Sequence, residues 1–599
     1  MTKTNRYYGM HPYGHDSTVC FIDLDKEAIF AMALERTTRV KHDSRFSGPI
    51  LKDFKLPVED SHFCFPLKEL NGTRFKYFEY AYAYAQTIRI LSGWRKTRGG
   101  RKFLKALLLC KNPVQTLKGV LFFLFSSSMR GRDNLRSFES TFKKKVGTAK
   151  INFSYFDHHT SHAASAYYLA PDSFAKNTMV VTLDGQGDGF FSKIFLGNNG
   201  ELIEKACSNS DSSINIFFSL MTGYLGFNPN ADEGKLEALA SYSSSTREVN
   251  RLYGLLMSSF KVDDQLKILL QQSDLFPFEK IRGKSSEILK WLELNFTNVP
   301  KEDLAFGMQT FYEDFILTYI LKARELLGVR SLAVAGGGFA NVKLNRRVFE
   351  SNQFEQLYVC PSMGDDGAAL GALILGLIEQ GSNIDWIRKL EMPFFGPEFH
   401  NQEIELALKE THFPIKYEET GEDYSSLLAF DLSKGLICGH FQGPMEFGPR
   451  ALGNRSILAN PLSDSVKDDL NLKFKKREWF QPFCPSILIQ ERDRLFVSSY
   501  NNKHMTCAFT LKDEFVNSLP GITHVDGTAR AQFVSEVTNL KLFRVLQEFK
   551  KLTGFGVLLN TSFNIHGKTI VLTPRDALDD FMSCSIDVLY IGNFRVERR

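Results

Sequence analysis

The sequence predicts an α/β fold, first of all from three short apolar runs. Ser17–Asp23, Thr178–Asp184 and Ser331–Ala335 are rich in β-branched residues, which is typical of strands that lead into turns. Helical periodicity dominates between them, as in Asp303–Leu327 and Gly367–Glu379. Strands that alternate with helices in this way indicate an α/β architecture rather than a bundle or a sandwich.

The length of the chain predicts at least two domains, since 599 residues exceed what one hydrophobic core organises. Around Glu391–His400 the helical pattern is interrupted by the sequence MPFFGPEFHNQEIE, which contains two prolines and a glycine, before a new helical pattern begins. Such a change marks a domain boundary. We therefore expect a first domain at 1–390 and a second at 391–599, the second again α/β or α+β.

Composition and charge exclude several classes of protein. With 43% hydrophobic and 24% charged residues, the chain is globular rather than disordered or fibrous. A net charge of +5 over this length makes no general case for nucleic-acid binding, so we expect no nucleic-acid partner. The nine cysteines are scattered without a CxxC pair, which favours free thiols in a reducing compartment over disulfides or structural zinc.

The N-terminus and the apolar runs predict a soluble cytoplasmic protein. MTKTNRYYGMHPYGHDS lacks the apolar core of a signal peptide. The most apolar stretch, Gly119–Phe125, is far shorter than the roughly 20 residues that a membrane-spanning helix needs. From Arg95 to Arg132, ten Lys/Arg and no Asp/Glu are interleaved with apolar runs. This segment is either a solvated basic insertion on the first domain or a surface that contacts an anionic membrane or an acidic acceptor.

The strongest local signal is FDHHTSHAASAYY. His158 and His162 are four residues apart, so on a helix capped by Asp157 they share one face, a geometry that suits metal ligation. Two such histidines are more often incidental than ligands, and a metal site needs acidic partners. Asp184 in VVTLDGQGDG and Asp365 in PSMGDDGAALGAL are the candidates, although each alone would be an ordinary turn or cap residue. Two imidazoles and two carboxylates suit iron(II), manganese or zinc.

Glycine-rich turns accompany these metal candidates. Gly336–Gly338 follow an apolar strand, and Gly364, Gly367 and Gly371 bracket the second acidic candidate. Such turns let backbone N–H groups approach phosphates closely, although they are also common in plain loops. The sequence has neither a GxxxxGK[ST] loop nor a spaced GxGxxG, which excludes a P-loop or Rossmann site.

The C-terminal part is marked by polar clusters in glycine- and proline-rich turns. They are GPMEFGPRALGNRS with Arg450, NLKFKKREWFQPF with Lys475, HVDGTAR with Arg530, and NTSFN with Asn560 and Ser562. Any one of these cations would usually be a surface or salt-bridge residue. Together, guanidinium forks and amides are the groups that hold a small dianion with a planar end.

In this order, the motifs resemble the O-carbamoyltransferase family, which includes the nodulation-factor, cephamycin and tobramycin enzymes. The match runs from GMHPYGHDS near residue 9 to VLYIGNF near residue 594. MEFGPRALGNRSILA and LLNTSFN are close to family signatures, and HHTSHAASA and GDDGAALGA reinforce them.

The resemblance implies two fused modules and a two-step reaction. The first module would be a domain of the actin/Hsp70/sugar-kinase type, as in the universal tRNA threonylcarbamoyl transferase. The second would be of the YrdC type, which makes threonylcarbamoyl adenylate. Carbamoyl phosphate and ATP would be co-substrates that form carbamoyl adenylate in the second domain. In the metal-bearing first domain, the hydroxyl of a small-molecule or glycan acceptor would then attack its carbonyl.

The resemblance also assigns roles to individual residues. His15 would do acid–base work at the acceptor hydroxyl, while Lys475 and Arg530 would be catalytic in the second domain. The metal ligands would be His158, His162, Asp184 and Asp365. The nucleotide would be held by Lys41, Glu233, Gly337 and Asn341. Carbamoyl phosphate would be held by Arg450, Lys475, Arg530, Asn560 and Ser562.

Two departures from the family pattern concern these sites. Gln481 stands where the family motif REPFRPF has its second arginine, and KLEALASY has Glu237 and Ala238 where KxMGLAPYG has Met and Gly. Neither departure removes a candidate metal ligand, so we expect them to adjust the activity rather than abolish it. The alternatives are a tRNA threonylcarbamoyl transferase-like enzyme, a non-catalytic nucleotide-binding protein on the same fold, and a phosphotransfer kinase, which would leave the C-terminal clusters unexplained.

Overall fold

The computed structural model describes residues 6–11, 17–43, 46–67, 132–148, 150–463, 465–475, 477–565 and 567–599. His15 lies outside these residues, as does the basic segment Arg95–Arg132 except for Arg132 itself. The structure therefore does not test the membrane contact expected of that segment. Among the described residues, no helix combines the length and the apolar character needed to cross a membrane.

The first sheet has the strand order β3-β2-β1-β4-β5. Strand β1 pairs antiparallel with β2, which pairs antiparallel with β3, whereas β4 and β5 continue the other side of β1 in parallel. Its elements are β1 (Arg6–His11), β2 (Thr18–Asp23), β3 (Ala28–Ala33), α1 (Leu34–Thr38), α2 (Pro49–Asp53), β4 (Ser61–Phe65), α3 (Arg132–Val146) and β5 (Ile151–Tyr155).

The second sheet repeats this topology, with the order β12-β11-β6-β7-β8. Strands β6, β7 and β8 form an antiparallel meander, and β11 and β12 continue in parallel on the other side of β6. The elements of this unit are α4 (His158–Leu169), β6 (Thr178–Gly187), β7 (Phe190–Asn198), β8 (Glu201–Asn209), α5 (Ile214–Tyr224), α6 (Glu233–Leu239), α7 (Arg247–Ser259), β9 (Phe260–Val262), β10 (Ile268–Leu270), α8 (Ser285–Phe296), α9 (Lys301–Leu327), β11 (Ser331–Ala335), α10 (Val342–Glu350), β12 (Gln356–Val359) and α11 (Asp365–Glu379).

The C-terminal part forms a mixed eight-stranded sheet of order β13-β22-β21-β14-β15-β20-β16-β19. Helix α14 continues into a π-helical segment at Asp469–Lys475. The elements are α12 (Asn401–Glu410), β13 (Ile415–Glu419), α13 (Tyr424–Ser433), β14 (Cys438–Phe441), β15 (Arg455–Ala459), α14 (Val466–Asp468), β16 (Cys484–Leu488), α15 (Arg492–Leu495), β17 (Phe509–Thr510), α16 (Asp513–Val516), β18 (Thr528–Ala529), β19 (Gln532–Val534), α17 (Leu540–Thr553), β20 (Val557–Ser562), α18 (Pro574–Met582), β21 (Val588–Ile591) and β22 (Phe594–Arg598).

The predicted α/β architecture is confirmed, with differences at the ends of elements. The strand predicted to end at Asp184 continues to Gly187, through an irregularity in its pairing with β7. The helix predicted from Gly367 begins two residues earlier, so Asp365 is its first residue rather than part of a preceding turn. Acidic residues are favoured there because the first turn of a helix carries the positive end of its dipole.

Helices α4 and α11 lie side by side between the two five-stranded sheets. Helix α11 packs on β1, β2 and β4, whereas α4 packs on β6 and β11. The two helices approach so closely that a Cβ on Gly371 would lie 1.8 Å from the Ser161 carbonyl oxygen. A Cβ on Gly9 would likewise lie 2.0 Å from the Ala369 carbonyl oxygen. Gly371 and Gly9 therefore permit the contacts between these layers, and Gly371 is a helix-packing residue rather than part of a phosphate-binding turn.

Residues of the C-terminal part complete the hydrophobic cores of the two N-terminal sheets. Met445 and Ile570 belong to the core beneath the first sheet, and Phe480 belongs to the core of the second. The backbone also joins them, because Ala31 N–H donates to the Phe395 carbonyl at 2.9 Å. The three sheets thus share buried apolar contacts across the chain.

Replacing Gly371 by alanine is expected to lower the midpoint of thermal unfolding. The added methyl group must displace the Ser161 carbonyl, and overpacking of this kind typically costs about 1–3 kcal/mol. Gly254→Ala on the exposed side of α7 is the matched control, because its Cβ would meet nothing within 4 Å. A Gly371→Ala variant as stable as Gly254→Ala would contradict the close helix contact.

Candidate metal centre and anion site

The four predicted metal ligands converge at one end of the helix pair. His158 and His162 are one turn apart on α4, Asp184 lies on β6, and Asp365 begins α11. One ligand atom from each lies within 4.8 Å of all the others. The predicted cap is confirmed, since Asp157 accepts a hydrogen bond from Thr160 N–H at 2.8 Å and so fixes the first turn that carries the histidines.

The distances within this cluster suit a shared cation. His158 Nε2 lies 3.1 Å from His162 Nε2 and 3.3 Å from Asp184 Oδ2. His162 Nε2 lies 3.6 Å from Asp365 Oδ1. Each Nδ1 of the two histidines is buried, without a hydrogen-bond partner among the described residues. Two imidazole nitrogens turned towards two carboxylates form a donor set that fits a divalent first-row metal.

The charges in the cluster agree with this interpretation. Burial lowers the pKa of His158, but the hydrogen bond with Asp184 and the charge of Asp365 outweigh it and raise that pKa to about 9. Burial raises the pKa of Asp184, yet the His158 hydrogen bond outweighs it and holds the pKa below its usual value. The pKa of Asp365 is lowered further, despite burial, by His11 and the two histidines of α4. Two ionised carboxylates in this place favour positive charge beside them, whether from a protonated His158 or from a bound cation.

Two further residues near the cluster, His11 and Asp188, were not predicted from the sequence. His11 Nε2, at the end of β1, lies 3.7 Å from Asp365 Oδ2, and Asp188 accepts a hydrogen bond from His158 N–H at 2.9 Å. His11 stands in the GMHPYGHDS motif, which was the available signal. His159 faces away from the cluster, with Nδ1 2.9 Å from Thr182 Oγ1 and Nε2 3.1 Å from the Phe190 carbonyl. These two bonds tie α4 to β6 and β7.

The turn after β11 lies directly beside the metal ligands. Gly336 has a φ of 95°, and a Cβ there would lie 2.1 Å from the Leu183 carbonyl oxygen, so this position requires glycine. A Cβ on Gly337 would lie 3.3 Å from Asp184 Oδ1. Backbone atoms of this predicted nucleotide-binding turn thus abut one of the metal ligands.

The other predicted nucleotide residues make different contacts. Asn341 caps α10, accepting from Leu344 N–H at 3.0 Å, and its amide exchanges two hydrogen bonds with Gln309. Glu233 begins α6 and accepts from Asn230 N–H at 2.6 Å. Lys41 lies near the C-terminal cluster, where its charge helps to lower the pKa of Lys475. Asn341 directly follows the turn that contains Gly337, and the assignment of these residues to the nucleotide stays a prediction.

The C-terminal cations form an electropositive cluster. Burial and the neighbouring charge of Arg530 lower the pKa of Arg450 to about 9, and burial likewise lowers that of Arg477 to about 10. Arg530 Nε donates to Cys484 Sγ at 2.8 Å. Arg450 Nε is buried without a partner among the described residues. Half-buried guanidinium groups that are short of carboxylate partners make a candidate anion site.

Lys475 is held by the NTSFN motif at the edge of this cluster. Its ammonium donates to the Ser562 and Asn564 carbonyls at 2.5 and 3.0 Å, and to Asn564 Oδ1 at 2.9 Å. Burial, followed by the charges of Arg477 and Lys41, lowers the pKa of Lys475 well below its usual value. The carbonyl and amide oxygens fix the position of the ammonium without neutralising its charge.

The anion site and the candidate metal ligands meet at the turn after β11. Arg450 Nη2 donates to the Ala340 carbonyl at 3.2 Å, so the GPRALGNRS loop reaches the turn that abuts Asp184. Glu237, which replaces a family methionine, is half-buried here and accepts from Lys343 N–H at 3.0 Å. Burial raises the pKa of Glu237, against the opposing charges of Lys343, Arg530 and Arg450.

Comparison with known proteins identifies the family. The model described as "Carbamoyltransferase N-terminus" matches residues 6–374, and "Carbamoyltransferase C-terminus" matches residues 429–598. An uncharacterized protein of Methanocaldococcus jannaschii is 39% identical over 99% of both chains. Nodulation protein NolNO of Sinorhizobium fredii is 28% identical over 98% of this chain and 79% of its own. The 3'-hydroxymethylcephem-O-carbamoyltransferase of Streptomyces clavuligerus is 29% identical over 58% and 61%.

Together with the α/β fold and the paired sites, these matches define a transferase. The chain belongs to the carbamoyltransferase family. The resemblance seen in its motifs is thereby confirmed, and its relatives include a protein named as an O-carbamoyltransferase.

Replacing Asp365 by asparagine is expected to weaken manganese or iron(II) binding by at least about tenfold, because it removes one of two anionic ligands. Metal content after loading and isothermal titration would measure the change. Asp385→Asn is the control, since it makes the same substitution at an exposed helix start. Equal metal affinity in both variants would contradict the proposed centre.

Proposed function

We propose that the chain is an O-carbamoyltransferase that forms carbamoyl adenylate from carbamoyl phosphate and ATP, and then transfers the carbamoyl group to an acceptor hydroxyl. The observation that carries the proposal is the contact between the two sites. Arg450 of the anion site reaches Ala340, and Gly337 of the same turn abuts Asp184. An intermediate made at the anion site would therefore have only a short distance to travel to the candidate metal ligands.

The anion site supplies the first step. Arg450, Arg530 and Lys475 would bind the phosphate of carbamoyl phosphate, because cations that are partly or fully withdrawn from water hold a dianion more strongly than exposed ones do. Their charge would also stabilise the phosphate as a leaving group when water attacks the carbonyl carbon of carbamoyl phosphate and leaves carbamate. A carbamate oxygen would then attack the α-phosphorus of ATP, which forms carbamoyl adenylate as pyrophosphate leaves. Lys475 is held for this by Ser562 and Asn564.

The metal side would carry the second step. His158, His162, Asp184 and Asp365 would hold a divalent cation, which when bound supplies Lewis-acid stabilisation of phosphate charge. His15, which lies outside the described residues, remains our proposal for the group that takes the acceptor's hydroxyl proton. The acceptor would be a small molecule or a glycan, in keeping with the name of the cephem relative.

The fold supports a division of labour between two domains. The duplicated sheet topology of the N-terminal part supports a domain of the actin/Hsp70/sugar-kinase type at 1–390. We propose the YrdC type for 391–599, which contains the eight-stranded sheet and the anion site. The C-terminal family match at 429–598 favours this reaction over that of a tRNA threonylcarbamoyl transferase-like enzyme.

Lys475→Ala or Arg530→Ala is expected to abolish pyrophosphate release that depends on carbamoyl phosphate, while metal binding stays intact. The assay is incubation with carbamoyl phosphate, ATP and manganese or iron(II), with pyrophosphate and carbamoyl adenylate followed by mass spectrometry. Removing one charged hydrogen-bond donor to a transition state typically costs on the order of 100–1,000-fold in rate.

Arg544→Ala, on the exposed side of α17, is the control and should keep the wild-type rate. A wild-type protein that turns over ATP without carbamoyl phosphate would point instead to a kinase. Lys475→Ala and Arg530→Ala variants with the wild-type rate would place the first step elsewhere.

A further inference from the structure

One face of the eight-stranded sheet changes from apolar to polar along its strands. At one end, Leu458, Leu488 and Leu558 pack in the core with Leu428 of α13 and Leu546 of α17. Cys484 is paired with Asn560 across the strands, and Ser486 with Gln532. Because paired residues and alternate residues share a face, the other end of this face is polar. The polar end comprises Cys484, Ser486, Gln532, Asn560 and Ser562.

Three of these side chains form a hydrogen-bonded relay. Gln532 Nε2 donates to the Leu452 carbonyl at 2.8 Å, and Gln532 Oε1 accepts from Ser486 Oγ at 2.6 Å. Ser486 Oγ accepts from Asn560 Nδ2 at 2.9 Å. Asn560 Nδ2 also lies 3.3 Å from the Ala451 carbonyl. Both carbonyls belong to the GPRALGNRS loop that covers this end of the sheet.

The relay fixes which way the Asn560 amide points. A backbone carbonyl can only accept, so Gln532 must turn its NH₂ towards Leu452 and its oxygen towards Ser486. Ser486 donates its single hydroxyl proton to the Gln532 oxygen. Its Oγ can therefore only accept from Asn560, so the Asn560 NH₂ must face Ser486. Asn560 Oδ1 is thereby turned away from the relay. It is buried and has no donor among the described residues, in a side chain only 1% exposed.

This acceptor lies beside the cations of the anion site. Cys484, the strand partner of Asn560, accepts from Arg530 Nε. Ala451, which accepts from the Asn560 amide, directly follows Arg450 in the chain. A ligand whose phosphate binds these guanidinium groups therefore has its other end within the reach of Asn560 Oδ1. An acceptor in that position suits a ligand that carries an N–H donor next to its phosphate ester.

We propose that Ser486 and Gln532 are positioning residues that turn Asn560 Oδ1 towards the NH₂ of carbamoyl phosphate, the substrate to which the family resemblance assigns Asn560. The inference rests on the proposed function and names the group by which the site selects its substrate. Acetyl phosphate has a methyl group in place of the NH₂. Its binding would leave a buried acceptor unpaired, which is the basis of strong rejection in enzyme sites.

The test compares carbamoyl phosphate with acetyl phosphate as the substrate in the pyrophosphate-release assay. The wild-type protein should prefer carbamoyl phosphate by on the order of 100-fold or more in kcat/KM. Ser486→Ala removes the shorter of the two hydrogen bonds that orient the Asn560 amide and should reduce this preference to about tenfold or less, with the KM for ATP unchanged. Asn560→Leu, whose side chain has the same branching but no acceptor, should reduce it as well.

Ser456→Ala is the matched control, because it removes a buried hydroxyl on the neighbouring strand that bonds only locally, to Gly453 N–H at 3.1 Å. It should keep the wild-type preference. A preference unchanged in both Ser486→Ala and Asn560→Leu would overturn this inference alone. A wild-type protein that releases pyrophosphate with neither substrate would overturn the proposed function, and the inference with it.

Discussion

The close contact between α4 and α11 is the constraint on which the candidate metal centre depends. The two histidines come from one helix and Asp365 from the other, and their ligand atoms meet only because the helix backbones approach at Gly371. The small residues Ala163, Ala164 and Ala369 continue this contact between the sheets. The same packing places β6 against α4, so that Asp184 completes the cluster. The packing of the two helices therefore also determines the geometry of the candidate metal ligands.

The junction between the N- and C-terminal parts is organised by uncompensated positive charge. Lys475 is buried and Arg450 and Arg477 are half-buried, and loss of hydration lowers the pKa of each. Burying cations without carboxylate partners opposes folding unless an anion or dipoles compensate them. A bound phosphate would provide that compensation and would favour the arrangement in which the GPRALGNRS loop contacts the β11 turn. Substrate binding and the closeness of the two sites are therefore coupled through charge.

The sequence was most informative where chemistry is carried by contiguous motifs. The α/β class, the strand at Ser331–Ala335 and the cap at Asp157 were predicted correctly because they depend on local periodicity and hydrogen bonding. The metal candidates were selected by type and spacing, and the structure brings them together. The place of Lys41 and the capping role of Asn341 could not be predicted, because they depend on contacts between segments far apart in the chain.

The polar end of the C-terminal sheet shows why such residues escape sequence reasoning and how the fold uses them. Ser486 and Gln532 look like ordinary polar interruptions of apolar strands, and only strand register places them next to Asn560. Guanidinium groups bind any phosphate, so the arginine cluster cannot by itself distinguish one acyl phosphate from another. A neutral amide can, provided that its orientation is fixed, because the two ends of an amide have opposite hydrogen-bonding character. The loop that carries Arg450 also supplies the two carbonyls that fix this orientation, those of Ala451 and Leu452, so under the proposed function one loop would contribute to both charge and selectivity in the anion site.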